Sequence, residues 1–264
     1  MDLGLKGKTA IVTGGSQGIG KATALALARE GVNVAICARG EGPLRQAARE
    51  IADATGVNTV PIRADVTNPS DIQALVADAV RDLGGIDILV SNAVNSVPGG
   101  VLTLKDSDWM NHISVKLMAF VRLAREVTPH MKKRGGGRIV VIGGMAARGV
   151  SATNASNAVT NAGVAATAKN LAEEVAKDGI LVNCIHPGTT RTPRNVQLAQ
   201  DRARLLNITV EEVRRQSLQS IPIGRMVEPE DIASLAVFLA SNKAGAITGQ
   251  SIAVDGGAGR GIYY

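Results

Sequence analysis

The chain has 264 residues, 45% of them hydrophobic, which is enough to bury a substantial core. Thirty glycines beside two phenylalanines, two tyrosines and one tryptophan describe tight Ala/Val/Ile packing with close backbone approaches, not a barrel lined with aromatics. The net charge of +6 comes from scattered Lys and Arg, mostly accompanied by acids, and so few aromatics to stack bases argue against a nucleic-acid partner.

In chain order, short β-rich runs alternate with longer helical patterns. "TAIVTG" is followed by "GIGKATALALAREG", "VNVAICA" by "PLRQAAREIADATG", "NTVPIRAD" by "PSDIQALVADAVRDLG", and then comes "IDILVSNA". The second half continues with a long helix around "SDWMNHISVKLMAFVRLAREVTPHMKK", the strand "GRIVVIGG", a helix through "NAVTNAGVAATAKNLAEEVAKDG", and the strand "ILVNCIHPG". A last helix, "PEDIASLAVFLAS", precedes the strand "SIAVDGG". Alternation of this kind predicts βαβ units and an α/β fold: one Rossmann-like, doubly wound parallel sheet with helices on both faces, as a single domain over residues 1–264.

Between Thr189 and Ile221 lies a polar, Arg-rich insert, partly helical by pattern. It follows a strand's carboxyl end, where open α/β sheets place segments that cover a substrate; an ordinary surface excursion is the alternative. Cys37 and Cys184 both fall in apolar strand patterns, so neither a disulfide nor a metal site is expected, and the compartment is expected to be reducing. "MDLGLKGKTAIVTGG" lacks a charged segment followed by a long apolar stretch, and no later window approaches eighteen uninterrupted apolar residues. A soluble, cytoplasmic protein without membrane contact is the expectation.

"TGGSQGIGK" joins the first strand to the first helix. Gly14, Gly18 and Gly20 let the backbone turn sharply and bring a pyrophosphate against the helix N-terminus, with Ile19 between the last two. Gly15 through Lys21 also spells the spacing of a Walker A loop, but the next residue, Ala22, has no hydroxyl for magnesium. A dinucleotide is therefore the expected ligand. The second strand ends "ICARG", with no acid to take a ribose diol. Arg39 can fork onto a phosphate there while Ser16 adds a donor, so NADP(H) is expected over NAD(H); a merely surface Arg39 is the alternative.

Over essentially its whole length the chain resembles the short-chain dehydrogenase/reductase family. The matching pieces are "TGGSQGIG", the "ADV" of Asp65 and Val66, "SNA" at residues 91–93, "HPGTTRTP" at residues 186–193, and the terminal "GRMVEPEDIASLAVFLAS" with "ITGQSIAVDGG". The resemblance implies that Asp65 and Val66 touch adenine and that Asn92 and Ala93 line the cofactor. It also implies that Pro187, Gly188, Thr190 and Thr192 sit beside the nicotinamide.

That family uses a tyrosine acid–base, a lysine four residues on, an upstream serine and an asparagine on the fourth helix. Matched by resemblance, the serine position is Gly144, the tyrosine position Asn157, the lysine position Asn161 and the asparagine position Lys116. All four are substituted, and the only tyrosines, Tyr263 and Tyr264, lie at the extreme C-terminus. Asparagine cannot act as an acid and glycine offers no side-chain donor, so the family's ordinary route loses its proton source and its carbonyl clamp. Lysine and asparagine look exchanged between two helices. Either the Lys116 ammonium enters the same cavity from the opposite wall, or it is a surface lysine at a drifted position.

Asn154, Asn157 and Asn161 recur at i, i+3 and i+7 and share a helical face, facing either a ligand or solvent and a subunit. His112 and His186 are further candidate acids, with structural roles as the commoner alternative. Three functions remain open: an NADP(H)-dependent oxidoreductase with a nonstandard proton route, a non-catalytic cofactor-binding or regulatory subunit, and a non-redox enzyme on the same fold. A small-molecule substrate is expected. The resemblance implies a homo-oligomer, a dimer or tetramer, or a hetero-oligomer with an active relative.

Overall fold

A computed structural model of the chain describes residues 2–261, so Tyr263 and Tyr264 lie outside the described residues. Its centre is a seven-stranded sheet in the order β3-β2-β1-β4-β5-β6-β7, and every pairing is parallel. The strands are β1 (Thr9–Thr13), β2 (Asn33–Ala38), β3 (Thr59–Arg63), β4 (Ile88–Ser91), β5 (Gly137–Ile142), β6 (Ile180–Pro187) and β7 (Ser251–Val254).

Alternate residues of the central strands feed two separate cores. Ile11, Leu89, Ile139, Val141 and Cys184 pack under α3 (Pro69–Leu83), α5 (Ala119–Lys133) and α6 (Ala155–Val175), beside Leu75, Phe120, Leu123 and Val164. Their neighbours Ala10, Val12, Ile88, Val90, Val140 and Ile185 pack under α1 (Gly18–Arg29), α2 (Glu41–Thr55) and α9 (Pro229–Ala240), beside Leu27, Ile51, Ile232 and Val237. Side chains alternate across a strand, so covering both faces requires the near-continuous apolar runs that the sequence carries. Cys37 on β2 and Cys184 on β6 are both buried.

Two features position the site. β1 pairs with β2 on one side and with β4 on the other, so the connections leave β1 and β4 in opposite directions. A crevice opens at the carboxyl ends of these strands, the topological switch point of an open α/β sheet. Second, the long predicted helix is not uniform. α4 (Asp106–His112) passes into a π-helical segment, Ile113–Met118, before α5 begins, and Lys116 sits in that segment. The insert forms α7 (Pro193–Leu206) and α8 (Val210–Gln219). Thr192 caps α7 by accepting from the Asn195 N–H at 3.3 Å, and Thr209 and Glu212 form a reciprocal capping box on α8.

Candidate active site

The glycine turn is built so tightly that other residues would not fit. Gly14 and Gly18 have φ of +64° and +55°, in the left-handed region that favours glycine. A Cβ on Gly20 would lie 2.2 Å from the Gly14 carbonyl oxygen. Asn92, just past β4, braces the turn from behind: its Nδ2 donates to the Thr13 carbonyl at 3.0 Å, and its backbone N–H donates to Thr13 Oγ1 at 2.9 Å. Thr13, fully buried, also accepts from the Ala93 N–H at 3.2 Å, a bracing role that its place in an apolar strand gave no reason to suspect.

From this turn a groove runs in two directions. Towards β2 and β3 it is walled by Gly14, Ser16, Arg39, Asp65, Val66 and Ala93, all expected from the sequence, together with Gln17, Ala38 and Pro43. No acid lies among its walls except Asp65, whose carboxylate is committed to Thr67: it accepts from the Thr67 N–H at 2.9 Å and from the hydroxyl at 2.8 Å. Burial raises the Asp65 pKa, but those bonds and the charge of Arg39 outweigh it and hold the carboxyl below its ordinary value.

Towards β5 and β6 a cavity of about 290 Å³ is lined by Gly14, Ser16, Gly18, Ile19, Asn92 and Ala93 on one side. On the other are Lys116, Gly143, Pro187, Gly188, Thr190, Thr192 and Arg194. The groove continues past Pro187 and Gly188 to Gly144, Asn154 and Asn157.

Lys116 is only 7% exposed and its Nζ donates to the Gly143 carbonyl oxygen at 2.8 Å. It therefore points into the molecule and not into solvent, and the surface-lysine alternative fails. Burial pulls its pKa down to about 8; the neighbouring Cys184 pushes the other way and the charge of Arg194 adds to the fall.

The asparagine face divides. Asn154 and Asn157 border the groove, whereas Asn161 is 1% exposed and turned inward. Its Nδ2 donates to Asn157 Oδ1 at 2.7 Å and to the Asn157 carbonyl at 2.8 Å, and its Oδ1 is buried without a partner. A Cβ at Gly144 would come within 3.1 Å of Asn161 Nδ2, and one at Gly143 within 2.7 Å of His186 Nδ1. The two glycines thus leave room for Asn161 and His186.

Both histidines are buried, which draws their pKa values down. Burial, then the charges of Lys116 and Arg194, push His112 down to about 4. Burial likewise pushes His186 to about 4, against the bond from Gly144, which raises it. His186 is structural: its Nδ1 lies 3.2 Å from the Gly144 nitrogen and 3.0 Å from the Gly144 carbonyl oxygen, and its Nε2 lies 3.6 Å from Cys184 Sγ.

Arg194, in the first turn of α7, is a site residue that the Arg-rich pattern of the insert does not single out from its neighbours. Its Nη2 donates to both the carbonyl and the Oγ of Ser96, each at 2.7 Å, and so ties the insert to the loop after β4. Only the partner, 98 residues away, reveals it. Among the described residues no group of His, Cys, Asp and Glu could hold a metal ion, and no helix is long and apolar enough to cross a membrane.

A family model described as enoyl-(acyl carrier protein) reductase matches residues 14–259. The 3-oxoacyl-[acyl-carrier-protein] reductase of Vibrio cholerae is 36% identical over 255 residues, covering 97% of this chain and 98% of the relative. Among solved structures, L-sorbose reductase from Gluconobacter frateurii, complexed with NADPH and L-sorbose, is 35% identical with a TM-score of 0.95, covering 99% of this chain and 100% of the other. A 7α-hydroxysteroid dehydrogenase complexed with NADH and 7-oxo glycochenodeoxycholic acid is 32% identical with a TM-score of 0.89, covering 98% and 97% of the two chains. The switch-point crevice, the braced glycine turn and these whole-length matches agree: the chain belongs to the short-chain dehydrogenase/reductase family.

Proposed function

We propose that the protein is an NADP(H)-dependent carbonyl reductase in which Lys116 takes the place of the family's acid. The observation that carries this reading is the placement of Lys116: a buried ammonium lining the same cavity as the glycine turn, held on the Gly143 carbonyl.

The groove suits the dinucleotide. A Cβ at Gly14 would meet Asn92 Nδ2 at 2.9 Å, and one at Gly18 would meet Thr192 Cγ2 at 3.2 Å, so bare backbone is kept where a diphosphate approaches the start of α1. Gly14, Ser16, Gly18, Ile19 and Gly20 would hold the diphosphate, Arg39 and Ser16 the 2′-phosphate, Asp65 and Val66 the adenine, and Asn92, Ala93, Pro187, Gly188, Thr190 and Thr192 the nicotinamide half. NADPH bound in the L-sorbose reductase supports this choice. The cofactor supplies the hydride that reduces the substrate carbonyl.

The chain itself must supply the proton. A lysine drawn to about 8 gives up a proton readily near neutral pH yet is still protonated at the start, which is the compromise that general acid catalysis favours. Lys116 donates to the carbonyl oxygen and regains its proton from solvent. Gly144 contributes no hydroxyl clamp, and Asn157 offers an amide for hydrogen bonding only. α7 and α8 cover the substrate. The same reading places the protein in the cytoplasm as a homo-oligomer, dimer or tetramer, with a small-molecule substrate and no nucleic-acid or membrane partner.

The test is NADPH binding followed by NADPH oxidation with a panel of carbonyl compounds. Binding with turnover that disappears in Lys116→Met is the expected result. Tight binding without turnover on any compound would instead make the protein a non-catalytic cofactor-binding or regulatory subunit; product formed without cofactor oxidation would make the chemistry non-redox.

A further inference from the structure

Lys116, Arg194 and His112 form a cluster with no acid in it. Lys116 and Arg194 line one cavity, the charge of Arg194 acts on Lys116, and the charges of both act on His112. Among the described residues, neither cation has a carboxylate partner; Lys116 bonds only the Gly143 carbonyl. Arg194 is half-buried, and its guanidinium spends only Nη2 on the protein, both bonds going to Ser96. Among the described residues, its Nε and Nη1 carry no protein hydrogen bond. His112 is fully buried, and its Nε2 has no partner among the described residues.

Contrast Arg134, also partly buried, which donates to Asp87 Oδ1 at 2.8 Å. Withdrawing cations from water without a counter-ion is unfavourable, and desolvation lowers the pKa of Arg194 as it does that of Lys116. A ligand anion would supply the missing charge, and the Nε and Nη1 N–H groups left to Arg194 can donate to a carboxylate.

Resting on the carbonyl reductase reading above, we infer that the substrate is a small oxo acid whose carboxylate is held by Arg194 while its carbonyl faces Lys116. In the balanced reaction, the carbonyl carbon gains a hydride from NADPH and the oxygen gains the Lys116 proton. The products are a hydroxy acid and NADP, and one proton is drawn from solvent to restore the lysine. The carboxylate is unchanged throughout. It also strengthens the acid's ground state, because an anion beside Lys116 favours the ammonium form.

The experiment uses malonate as a dianionic probe and malonamide as its neutral counterpart. Each is titrated into the NADPH-saturated protein, read by the fluorescence of bound NADPH, and into the protein without cofactor, read by thermal shift. Malonate should bind at least tenfold tighter than malonamide. Arg194→Gln should weaken malonate at least tenfold while moving NADPH affinity less than threefold, and Arg194→Lys, which keeps the charge, should recover part of the loss. Turnover should follow the same pattern, with pyruvate and acetoacetate preferred over their methyl esters.

Equal affinity for malonate and malonamide, or malonate binding indifferent to Arg194→Gln, overturns the inference. So does a tenfold loss of NADPH affinity in Arg194→Gln, which would assign the guanidinium to the cofactor diphosphate. If the protein binds no NADPH at all, the reductase reading fails on its own. The cofactor-free thermal shift then still decides whether Arg194 and Lys116 bind an anion.

Discussion

Replacing Lys116 with methionine tests the electrostatics of the site without any knowledge of the substrate. Methionine has nearly the same length and no charge, so it fills the space with little change in packing. In the folded protein the lysine pKa is pulled from 10.5 to about 8. Each pKa unit corresponds to about 1.4 kcal/mol, so holding the ammonium in the fold costs about 3 kcal/mol whenever it is charged.

The sign follows from proton counting. Between about 8 and 10.5 the unfolded chain holds the lysine proton and the folded chain does not, so the wild type gains stability as pH rises through that window. Below about 8 the penalty is fully present. At pH 7 the variant escapes it, but it leaves the Gly143 carbonyl without its donor, which costs about 1–3 kcal/mol, so the net change there is small. The pH dependence is the sharper signal. In urea denaturation from pH 7 to 10, wild-type stability minus variant stability should rise by about 2 kcal/mol, most of the full effect, because other titrating groups cancel in the difference. A difference that stays flat across this range would refute the buried, charge-strained lysine and with it the proposed acid.

Four further outcomes are expected. Arg39→Ala should weaken NADPH binding at least tenfold and leave NADH within about twofold, measured by calorimetry, as expected from losing charge-assisted bonds to a single phosphate. Gly20→Ala places a Cβ 2.2 Å from the Gly14 carbonyl oxygen, so it should destabilise the fold by about 1–3 kcal/mol in thermal or urea melts and remove detectable dinucleotide binding. Asp87 is buried and accepts from Arg134 Nε at 2.8 Å, from the Thr9 N–H at 2.9 Å and from Thr9 Oγ1 at 3.0 Å; Asp87→Asn should cost about 2–3 kcal/mol at pH 7. Burial raises the Asp87 pKa, but Arg134, Thr9 and Lys8 outweigh it and hold the carboxyl below 3.8, so its stabilisation is present above that value and is lost as pH falls through the lower folded value. The variant's acid denaturation curve should lack that component.

How much of this was legible depends on whether a feature is local in the chain. The sheet and its helices were readable because a strand buried on both faces must be apolar at successive positions, as in "TAIVT" and "ILVS", while its helices return to a 3.6-residue period. The glycine turn was readable because backbone crowding admits only one residue type. Most residues singled out in the sequence border the groove, whereas Gly20 packs against the Gly14 carbonyl and Asn161 lies behind Gly144. Contacts that span the fold were not readable. Arg194 shows its purpose only against Ser96, and Thr13 only against Asn92 and Ala93. The π-helical segment was also hidden, because "ISVKLM" carries no proline or glycine to mark a break and its apolar pattern fits an ordinary helix.

That segment bears on the exchange of lysine and asparagine between the two helices. A wider turn changes the direction of the side chains it carries, and Lys116 is among them, its amine brought onto the Gly143 carbonyl beside β5. Asn161 lies behind Gly144, one residue further on, and uses its amide on Asn157. The cavity therefore receives one ammonium, from the wall of the π-helical segment, while α6 places a neutral amide, Asn161, behind Gly144. A second buried ammonium at position 161 would repel the first, and each would depress the other's pKa beyond what desolvation already does. Neutrality at 161 and charge at 116 are thus physically linked. An Asn161→Lys chain that kept Lys116 should carry a lysine titrating well below 8, a shift that the pH dependence of stability would read directly.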